Sequence, residues 1–435
     1  MQSPGPSWTP RAGAPSIAAR SRRRQRRLVA MSLPMQRLQV ADRVLGRLAA
    51  VALQPLRALR RREVGPARRV LAIKFWGLGS LQLLTPAVAS LRHKHPDAEL
   101  TLLTLEGNRS FAEGLGVFDE VRTIDLDVDG WVPLAGRILG ALRAVRAGGF
   151  DAVYDFEFFT RFSAVVSLWS GAPRSHGFTA PGVSRGGSHT DLVRFERGWH
   201  VARNFRALAD GEDGFDLEPR DFDPFQVTLA HRLEVATVLI ENGLCGEGPL
   251  IVLNVNAGEL SLERRWPADR FAELARRLVI EDGARVVLVG STEEREHVRH
   301  VRALIGDLPP ERCANLSGQL SFGGLVALLR EAEVFVTNDS GPMHVAAAQG
   351  VPTLGLFGPE TPLLYRPIGR RARFLYVPTP CSPCINVHEN KLAVCFRGRS
   401  ECMTNLPVGY VLAATRDEIG RQRELAPAQE IARRR

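Results

Sequence analysis

The stretch Asn338–Pro352, NDSGPMHVAAAQGVP, decides the fold. The apolar run before it, Ala332–Thr337, predicts a strand buried on both faces of a parallel sheet. Asp and Ser cap helices, proline suits the first turn and glycine ends them, so a short helix is expected from about Pro342 to Gly350. The run Val351–Phe357 predicts the next strand. A strand, a turn and a helix N-terminus in this order favour phosphate binding, and an ordinary β–turn–α unit is the alternative.

The same stretch resembles the hallmark of a known family. The segment Asp339–His344, DSGPMH, is followed by Ala346-Ala347 and by the Gly-x-Pro of Gly350–Pro352. This pattern is similar to that of glycosyltransferase family 9, the bacterial ADP-heptose:lipopolysaccharide heptosyltransferases, and within it to the heptosyltransferase II branch. The resemblance implies a GT-B fold, in which two Rossmann-like, doubly wound parallel-sheet α/β domains face each other across a cleft. The donor-binding residues implied at this turn are Asp339, Ser340, Gly341, Met343 and His344.

Length and charge bound the organisation of the chain. With 435 residues, 45% of them hydrophobic, the chain is too long for one ordinary domain, and two α/β domains are expected. Residues 1–69 hold 16 arginines against Asp42 and Glu63, which leaves 41 basic and 45 acidic residues in the remainder. The folded body is therefore slightly acidic, and the formal net charge of +10 does not indicate nucleic-acid binding. No apolar run approaches the length of a transmembrane span.

Two segments precede the predicted domains. Residues 1–34 are rich in Pro, Ser, Ala and Arg and predict a disordered basic tail. Residues 35–66 predict a basic amphipathic helical segment, with Val44 and Leu48 on its apolar face. We expect this segment to contact an anionic membrane surface, and a helix packed on the body is the alternative.

The alternation of strands and helices places the domains. Residues 67–230 predict an N-terminal Rossmann-like acceptor domain, and residues 249–405 a C-terminal Rossmann-like domain that binds the nucleotide sugar. Acidic loops and a helix over residues 206–248 are placed at the connection. Residues 406–435 predict a C-terminal helix followed by a basic tail.

One position departs from the family pattern. Lys74–Pro86 resembles the opening motif of the family, whose turn ends in Gly-Asp with the Asp as acceptor-activating base, but this chain has Gly79 and Ser80 there. Gly79 lets the backbone approach a ligand closely, whereas a serine hydroxyl cannot act as a base near neutral pH without a helper. Asp155 and Glu157 follow a predicted strand at the same sheet edge. We expect one of them, Glu157 in the first place, to take the catalytic role of this position; the alternative is that both cap the next helix.

Two further segments resemble donor-binding parts of the family. The segment Arg264–Pro267, RRWP, is similar to one whose basic residue contacts donor phosphate or ribose. Arg265 matches that residue best, and Arg264 is the second candidate. A guanidinium can bind phosphate with two parallel hydrogen bonds, so the residue type suits this role. The pattern Gly-Ser-x-x-Glu that ends at Glu294 is similar to one whose Glu lies near the nucleoside. The alternatives are a solvent-facing arginine pair and a helix-capping box.

No cofactor and no catalytic metal are expected. Asp125–Asp129 has the Asp-x-Asp form that binds divalent metal in another glycosyltransferase fold, but tandem acids after a strand are typical of a solvated loop. The four clustered cysteines have a spacing that suits structural zinc, and reduced thiols are the alternative. These cysteines are Cys381, Cys384, Cys395 and Cys402.

The resemblance implies an inverting, metal-independent glycosyl transfer. A nucleotide-diphosphate sugar, commonly ADP-heptose, is expected to donate its sugar to a lipid-linked glycan such as the lipopolysaccharide core, at the cytoplasmic face of the bacterial inner membrane. Preorganised N–H groups and an arginine then stabilise the departing diphosphate. Three alternatives remain: a nucleotide-sugar-binding relative impaired by Ser80, a sugar-nucleotide epimerase or hydrolase of the same fold, and a membrane-associated scaffold.

Overall fold

A computed structural model describes residues 65–433, together with residues 52 and 55, apart from residues 129, 159, 182–184, 186, 212–215, 259–260 and 386–394. The predictions for the tail 1–34 and for the amphipathic helix of residues 35–66 fall outside this description. In the last helix, side chains are described up to residue 421.

The first lobe is built on a sheet of six parallel strands in the order β3-β2-β1-β4-β5-β6. The strands are β1 Arg69–Ile73, β2 Glu99–Leu105, β3 Glu120–Ile124, β4 Ala152–Asp155, β5 Arg174–Thr179 and β6 Asp191–Arg194. Chain order reverses between β1 and β4. A ligand crevice is therefore expected beyond the carboxyl ends of these two strands.

Helices cover both faces of this sheet. They are α1 Leu78–Lys94, α2 Arg109–Leu115, α3 Trp131–Ala147, α4 Arg161–Ser170 and α5 Val201–Asp210. α1 packs against α5, and the apolar side chains of both helices, such as Leu84 and Phe205, are fully buried. The acidic segment that was placed at the connection thus begins as a helix of the first lobe.

The second lobe repeats this topology with its own six parallel strands, in the order β12-β11-β10-β7-β8-β9. The strands are β7 Leu250–Asn254, β8 Arg285–Val289, β9 Cys313–Asn315, β10 Val334–Asn338, β11 Thr353–Phe357 and β12 Ala372–Tyr376. Chain order reverses between β7 and β10, which places the second crevice beyond the carboxyl ends of those strands.

The helices of the second lobe include the short helix predicted after β10. They are α6 Leu229–Glu241, α7 Ala268–Asp282, α8 Arg295–Ile305, α9 Phe322–Glu331, α10 Gly341–Ala348, α11 Pro362–Tyr365, α12 Glu401–Thr404 and α13 Val408–Arg433. The order β10, α10, β11 agrees with the prediction, with boundaries shifted by up to two residues. α13 buries Val411 and Leu412 in the core of this lobe and continues through most of the segment predicted as a basic tail.

The two lobes pack against each other through several helices, including α9 on α2 and α10 on α1. α10 packs against α1, and Val345 of α10 belongs to the same buried cluster as Leu81 and Leu84 of α1. Two doubly wound parallel-sheet lobes that meet at the carboxyl edges of their sheets constitute the GT-B architecture, as predicted. Among the described residues, no helix combines the length and the apolar character needed to cross a bilayer.

Candidate functional site

The amino end of α10 lies where the two lobes meet. A Cβ placed on Gly79 would lie only 2.8 Å from the Cα of Gly341, so the start of α1 touches the start of α10 and only glycine fits at position 79 without a shift. Gly341 and Pro342 stay partly exposed, and the helix end is thus turned toward the gap between the lobes without being enclosed. Its first N–H groups lack partners within the helix, which suits an anion.

Hydrogen bonds between side chains hold this turn in place. Asn254 Nδ2, at the end of β7, donates to Thr337 Oγ1 at 3.1 Å and to Ser340 Oγ at 3.2 Å. Asn338 Oδ1 accepts the N–H of Trp266 at 2.8 Å. The turn is therefore fixed before a ligand arrives, and donors fixed in advance need no reorganisation when charge develops beside them.

The two neighbouring arginines lie in different parts of the site. Arg264 Nη1 is 3.2 Å from Asp339 Oδ2, at the turn itself. Burial raises the pKa of Asp339, and the guanidinium of Arg264 acts in the opposite direction. Arg265 makes no hydrogen bond or ion pair with a described residue; burial lowers its pKa, against the charge of Glu294. The arginine at the turn is thus Arg264, the second candidate of the sequence analysis.

Glu294 lies on the other side of the second crevice. Its Oε2 accepts the N–H of Ser291 at 2.9 Å, and Ser291 Oγ accepts the N–H of Glu294 at 3.4 Å, which is the reciprocal pairing of a capping box before α8. Burial, and after it the charge of Arg265, lowers the pKa of His297. Arg265, Glu294 and His297 thus form one polar cluster beyond β8.

In the first lobe, Glu157 holds the turn that follows β1. This fully buried carboxylate accepts three hydrogen bonds on Oε1, from Lys74 Nζ at 2.8 Å, the Phe75 N–H at 2.7 Å and the Trp76 N–H at 2.9 Å. Lys74 Nζ also donates to the carbonyl of Trp76 at 2.8 Å. Glu157 and Lys74 together set the path of the backbone toward Gly79 and Ser80.

Asp155 is also buried and compensated. Its carboxylate pairs with Arg185, lies 3.1 Å from His189 Nε2, and accepts the N–H of Glu157 at 3.1 Å. Burial raises the pKa of Asp155, but Arg185 and His189 outweigh burial and the pKa is lowered. Neither acidic side chain caps α4, whose N-cap Thr160 has no side-chain capping bond, so the capping alternative was wrong.

Ser80 lies in the first turn of α1, half-buried, and its N–H donates to the carbonyl of Gly77 at 2.9 Å. It is one residue away from the contact between Gly79 and Gly341. The departure from the family pattern therefore occurs at the point of the first lobe that faces the amino end of α10.

His344 completes the lining of the turn, and Met343 does not take part in it. The Met343 side chain is fully buried, with its sulfur 2.5 Å from where a Cβ on Gly355 would be, so it belongs to the core. Burial lowers the pKa of His344 to about 3, and its Nδ1 has no hydrogen-bond partner among the described residues. His344 is thus a neutral imidazole between Gly79 and Tyr365.

One acidic residue of the site was missed by the sequence analysis. Glu360, three residues after β11, is 2% exposed, and burial together with the charge of Asp339 raises its pKa to about 8. The signal was present, because an acid just beyond a strand at the carboxyl edge is the same pattern that singled out Asp155 and Glu157. It was overlooked because position 360 lies outside the segments that resemble the family's motifs.

The cysteine cluster lies beside β11 and α12. Burial, and then the neighbouring thiols of Cys381 and Cys395, raises the pKa of Cys384, while burial raises that of Cys402 to about 11. None of these cysteines is in a disulfide. Within the described part of the chain, which omits residues 386–394 of this segment, no three His, Cys, Asp or Glu side chains are arranged to hold a metal ion.

Comparison with known proteins gives the family. The profile of glycosyltransferase family 9 (heptosyltransferase) matches residues 138–393, more than half of the chain. This chain belongs to glycosyltransferase family 9. The matched region includes Arg264, the turn at Asp339 and α10.

Individual relatives agree with this membership. The chain is 37% identical over 132 residues to lipopolysaccharide heptosyltransferase 2 of Escherichia coli strain K12. That segment covers 30% of this family 9 chain and 37% of the relative, so the likeness spans little more than a third of the relative's length.

Solved structures show the same fold over most of the chain. The E. coli ADP-heptose lipopolysaccharide heptosyltransferase II superposes with a TM-score of 0.63 at 22% identity, covering 82% of this chain and 99% of that one. A family 9 glycosyltransferase from Veillonella parvula gives a TM-score of 0.64 at 22% identity and covers 82% of this chain and 98% of that one. At this level of identity the likeness establishes the GT-B fold.

Proposed function

We propose that this family 9 chain is an inverting, metal-independent glycosyltransferase that moves heptose from ADP-heptose onto a lipopolysaccharide-core or other envelope glycan. The observation that carries the proposal is the amino end of α10, which faces the turn after β1 across the gap between the lobes, with Arg264 beside it. The names of the E. coli relatives, a lipopolysaccharide heptosyltransferase and an ADP-heptose heptosyltransferase, support the choice of sugar.

The donor diphosphate is proposed to bind at the start of α10. The backbone N–H groups of Ser340, Gly341 and His344, the helix dipole and Arg264 all favour negative charge there, and this charge grows as the diphosphate leaves. Pro342 has no N–H, and that of Met343 donates to the carbonyl of Ser340 at 3.2 Å. A site that supplies fixed positive ends of N–H dipoles and one guanidinium can stabilise this leaving group without a divalent metal.

The nucleoside is proposed to lie beyond β8. Arg265, Glu294 and His297 form a polar cluster there, and the guanidinium of Arg265 has no ion-pair partner among the described residues. A ribose offers hydroxyl groups to Glu294, and a neighbouring phosphate offers oxygens to Arg265. The sugar of the donor then extends from α10 toward the first lobe.

The acceptor is proposed to enter from the first lobe, next to Ser80. In an inverting transfer its hydroxyl attacks the anomeric carbon from the side opposite the diphosphate, and the proton needs an acceptor. Glu157 remains the proposed proton acceptor, with Asp155 behind it. The three hydrogen bonds that Glu157 accepts all end on Oε1, so the proton is proposed to pass to Oε2.

A second candidate is a relative that binds nucleotide sugar without turnover. Ser80 in place of the family's Asp favours it, as do the cations and N–H groups that already pair with Glu157 and Asp155. This reading predicts donor binding of ordinary strength and no glycoside product. The transferase proposal predicts both binding and product.

The direct test is a thermal-shift screen of ADP-, UDP- and GDP-sugars followed by product analysis. A ligand at a hundredfold excess over its dissociation constant stabilises the folded protein by about 2.7 kcal/mol. We expect ADP-heptose to raise the melting temperature, and NMR of the product to show an inverted anomeric configuration in the presence of EDTA. If no sugar nucleotide raises the melting temperature, the proposed donor site is wrong.

Association with an anionic membrane through residues 35–66 is part of the same proposal. A basic amphipathic segment binds such surfaces through apolar burial and through charge. The test is sedimentation with phosphatidylserine-rich vesicles and with vesicles that lack anionic lipid, comparing the full chain with a variant that lacks residues 1–62. The shortened variant is expected to keep donor binding and to lose vesicle binding.

A further inference from the structure

Glu360 lies in a loop whose backbone is held from both sides. A Cβ on Gly358 would lie 2.3 Å from Met403 Sδ, so the loop packs tightly against α12. The carbonyl of Pro359 accepts the N–H groups of Cys384 and Ile385, both at 2.9 Å. After this loop, α11 begins at Pro362 with Thr361 as its N-cap. The buried position of the Glu360 side chain is thus imposed by the surrounding structure.

This burial is costly for a carboxyl group that has so few partners. Glu360 Oε1 accepts the N–H of Thr361, at 2.9 Å, and no described side chain donates a hydrogen bond to this carboxyl group. The neighbouring cation, Arg264, is already paired with Asp339. A buried carboxyl group without a cation of its own costs stability, and such groups with a shifted pKa cluster at functional sites.

Other acceptor atoms without donors lie at the same end of the sheet. The N–H of Asp339 donates to the carbonyl of Leu356 at 3.1 Å, which brings Asp339 next to the end of β11. Asp339 Oδ1 and the buried His344 Nδ1 have no hydrogen-bond partner within the described part of the chain. Tyr365 lies beside this group, with its ring centroid 6.5 Å from that of His344, and the charges of Glu360 and Asp339 add to the burial that raises its pKa.

The chemistry of these atoms selects one part of the donor. A diphosphate consists of acceptor oxygens and negative charge, so it is attracted to the N–H groups of α10 and finds no donor on the Asp339 carboxylate. The hydroxyl groups of a sugar are donors and match unpaired oxygen and nitrogen acceptors. A protonated Glu360 can in addition donate to a sugar oxygen.

We propose that Glu360 is a specificity-determining residue for the donor sugar, whose hydroxyl groups it binds together with Asp339. The inference rests on the donor site proposed above and adds the sugar subsite to it. The site then takes a nucleotide sugar with several free hydroxyl groups, and it distinguishes this ligand from the bare nucleotide diphosphate.

The experiment compares the binding of ADP and of ADP-heptose by isothermal titration calorimetry, for the full chain and for Glu360→Gln and Glu360→Ala. Both variants are expected to bind ADP like the unmodified protein. Glu360→Ala is expected to bind ADP-heptose about tenfold more weakly, and Glu360→Gln to lose less because its amide still forms hydrogen bonds. Glu331→Gln, on the exposed end of α9, is the matched control and is expected to change neither affinity.

Each contrary outcome has its own meaning. If Glu360→Ala binds ADP-heptose as tightly as the unmodified protein, or loses ADP and ADP-heptose affinity equally, Glu360 does not read the sugar. If the unmodified protein binds neither ligand, the proposed function itself fails. Melting temperatures without ligand keep the comparison valid: Glu360→Gln is expected to melt no lower than the unmodified protein, because it removes a buried and poorly paired carboxyl group.

Discussion

Each lobe carries two acidic side chains just beyond the carboxyl ends of its strands, and the two pairs are compensated very differently. In the first lobe Asp155 and Glu157 are fully buried, and each is paired with a cation of its own. Their partners are Lys74, Arg185, His189 and the N–H groups of Phe75 and Trp76. In the second lobe Asp339 and Glu360 are nearly as buried, but Arg264 is the one described cation beside them, and Glu360 accepts the N–H of Thr361.

The difference separates structure from binding. A buried charge is costly unless it is paired, so a carboxylate that has its own cation and backbone donors is stabilised by the protein and fixes the surrounding backbone. A poorly paired carboxyl group lacks donors that a ligand can supply. The first pair therefore shapes the turn toward Ser80, whereas the second pair is suited to contact the donor.

The largest expected effect comes from breaking the compensated pair. Lys74→Met removes the cation and leaves Glu157 buried without it, which is expected to lower the free energy of unfolding by about 3–5 kcal/mol. Urea denaturation measures this. The double variant Lys74→Met with Glu157→Gln is expected to recover part of the loss; a single variant as stable as the unmodified protein would contradict the assigned role of the pair.

The next effect tests whether Glu157 also acts on the acceptor. If Glu157 is the proton acceptor, the variant Glu157→Gln is expected to have a kcat about 10²-fold lower, with unchanged affinity for the donor. Steady-state kinetics with calorimetry of donor binding gives both quantities. Glu113→Gln, exposed on α2, is the control. An unchanged kcat would show that Glu157 takes no part in the proton transfer and only positions the turn after β1.

A smaller effect distinguishes the second pair by its pH dependence. Burial raises the pKa of Glu360 from 4.5 to about 8, so between these values the folded state holds a proton that the unfolded state has released. Stability is therefore full below pH 4.5 and decreases as the pH rises toward 8. Relative to the unmodified protein, Glu360→Gln is expected to gain about 1–3 kcal/mol between pH 5 and pH 9.

The measurement is urea denaturation at both pH values. The same gain at pH 5 and at pH 9 would show that Glu360 does not titrate in this range. For Asp155, whose pKa is lowered, the pH dependence of stability has the opposite sign. The stability that its partners provide is lost as the pH falls through its folded-state pKa.

How far the sequence predicts this molecule depends on how local the cause is. The order β10, α10, β11 was predicted because apolar runs, a proline and a glycine act within a few residues. β5 and β6, RSHGFT and DLVR, were not predicted: they lie toward the edge of their sheet and carry polar residues instead of an apolar run. The roles of neighbouring side chains were equally out of reach.

The arginine pair shows the reason. Arg264 ends a short 3₁₀ turn and Arg265 continues in extended backbone, so the two side chains diverge, one toward Asp339 and the other toward Glu294. A motif comparison ranks residues by position and contains no side-chain direction. Likewise, Arg185 and His189 reach Asp155 from a segment about 30 residues later, a distance over which residue patterns carry no signal.

The smallest expected effect concerns Arg265, at the far end of the second crevice. Arg265→Met removes a half-buried guanidinium that forms no ion pair with a described residue, so the fold loses little, and ADP affinity is expected to fall about three- to tenfold. Calorimetry of ADP binding measures this. Arg276→Met, which removes hydrogen bonds to the end of α8, is the opposite control: we expect stability to fall there without a change in ADP affinity. If Arg265→Met instead destabilises the fold and leaves ADP binding intact, the unpaired groups of the second lobe are not a sign of ligand contact, and the contrast between the two lobes loses its meaning.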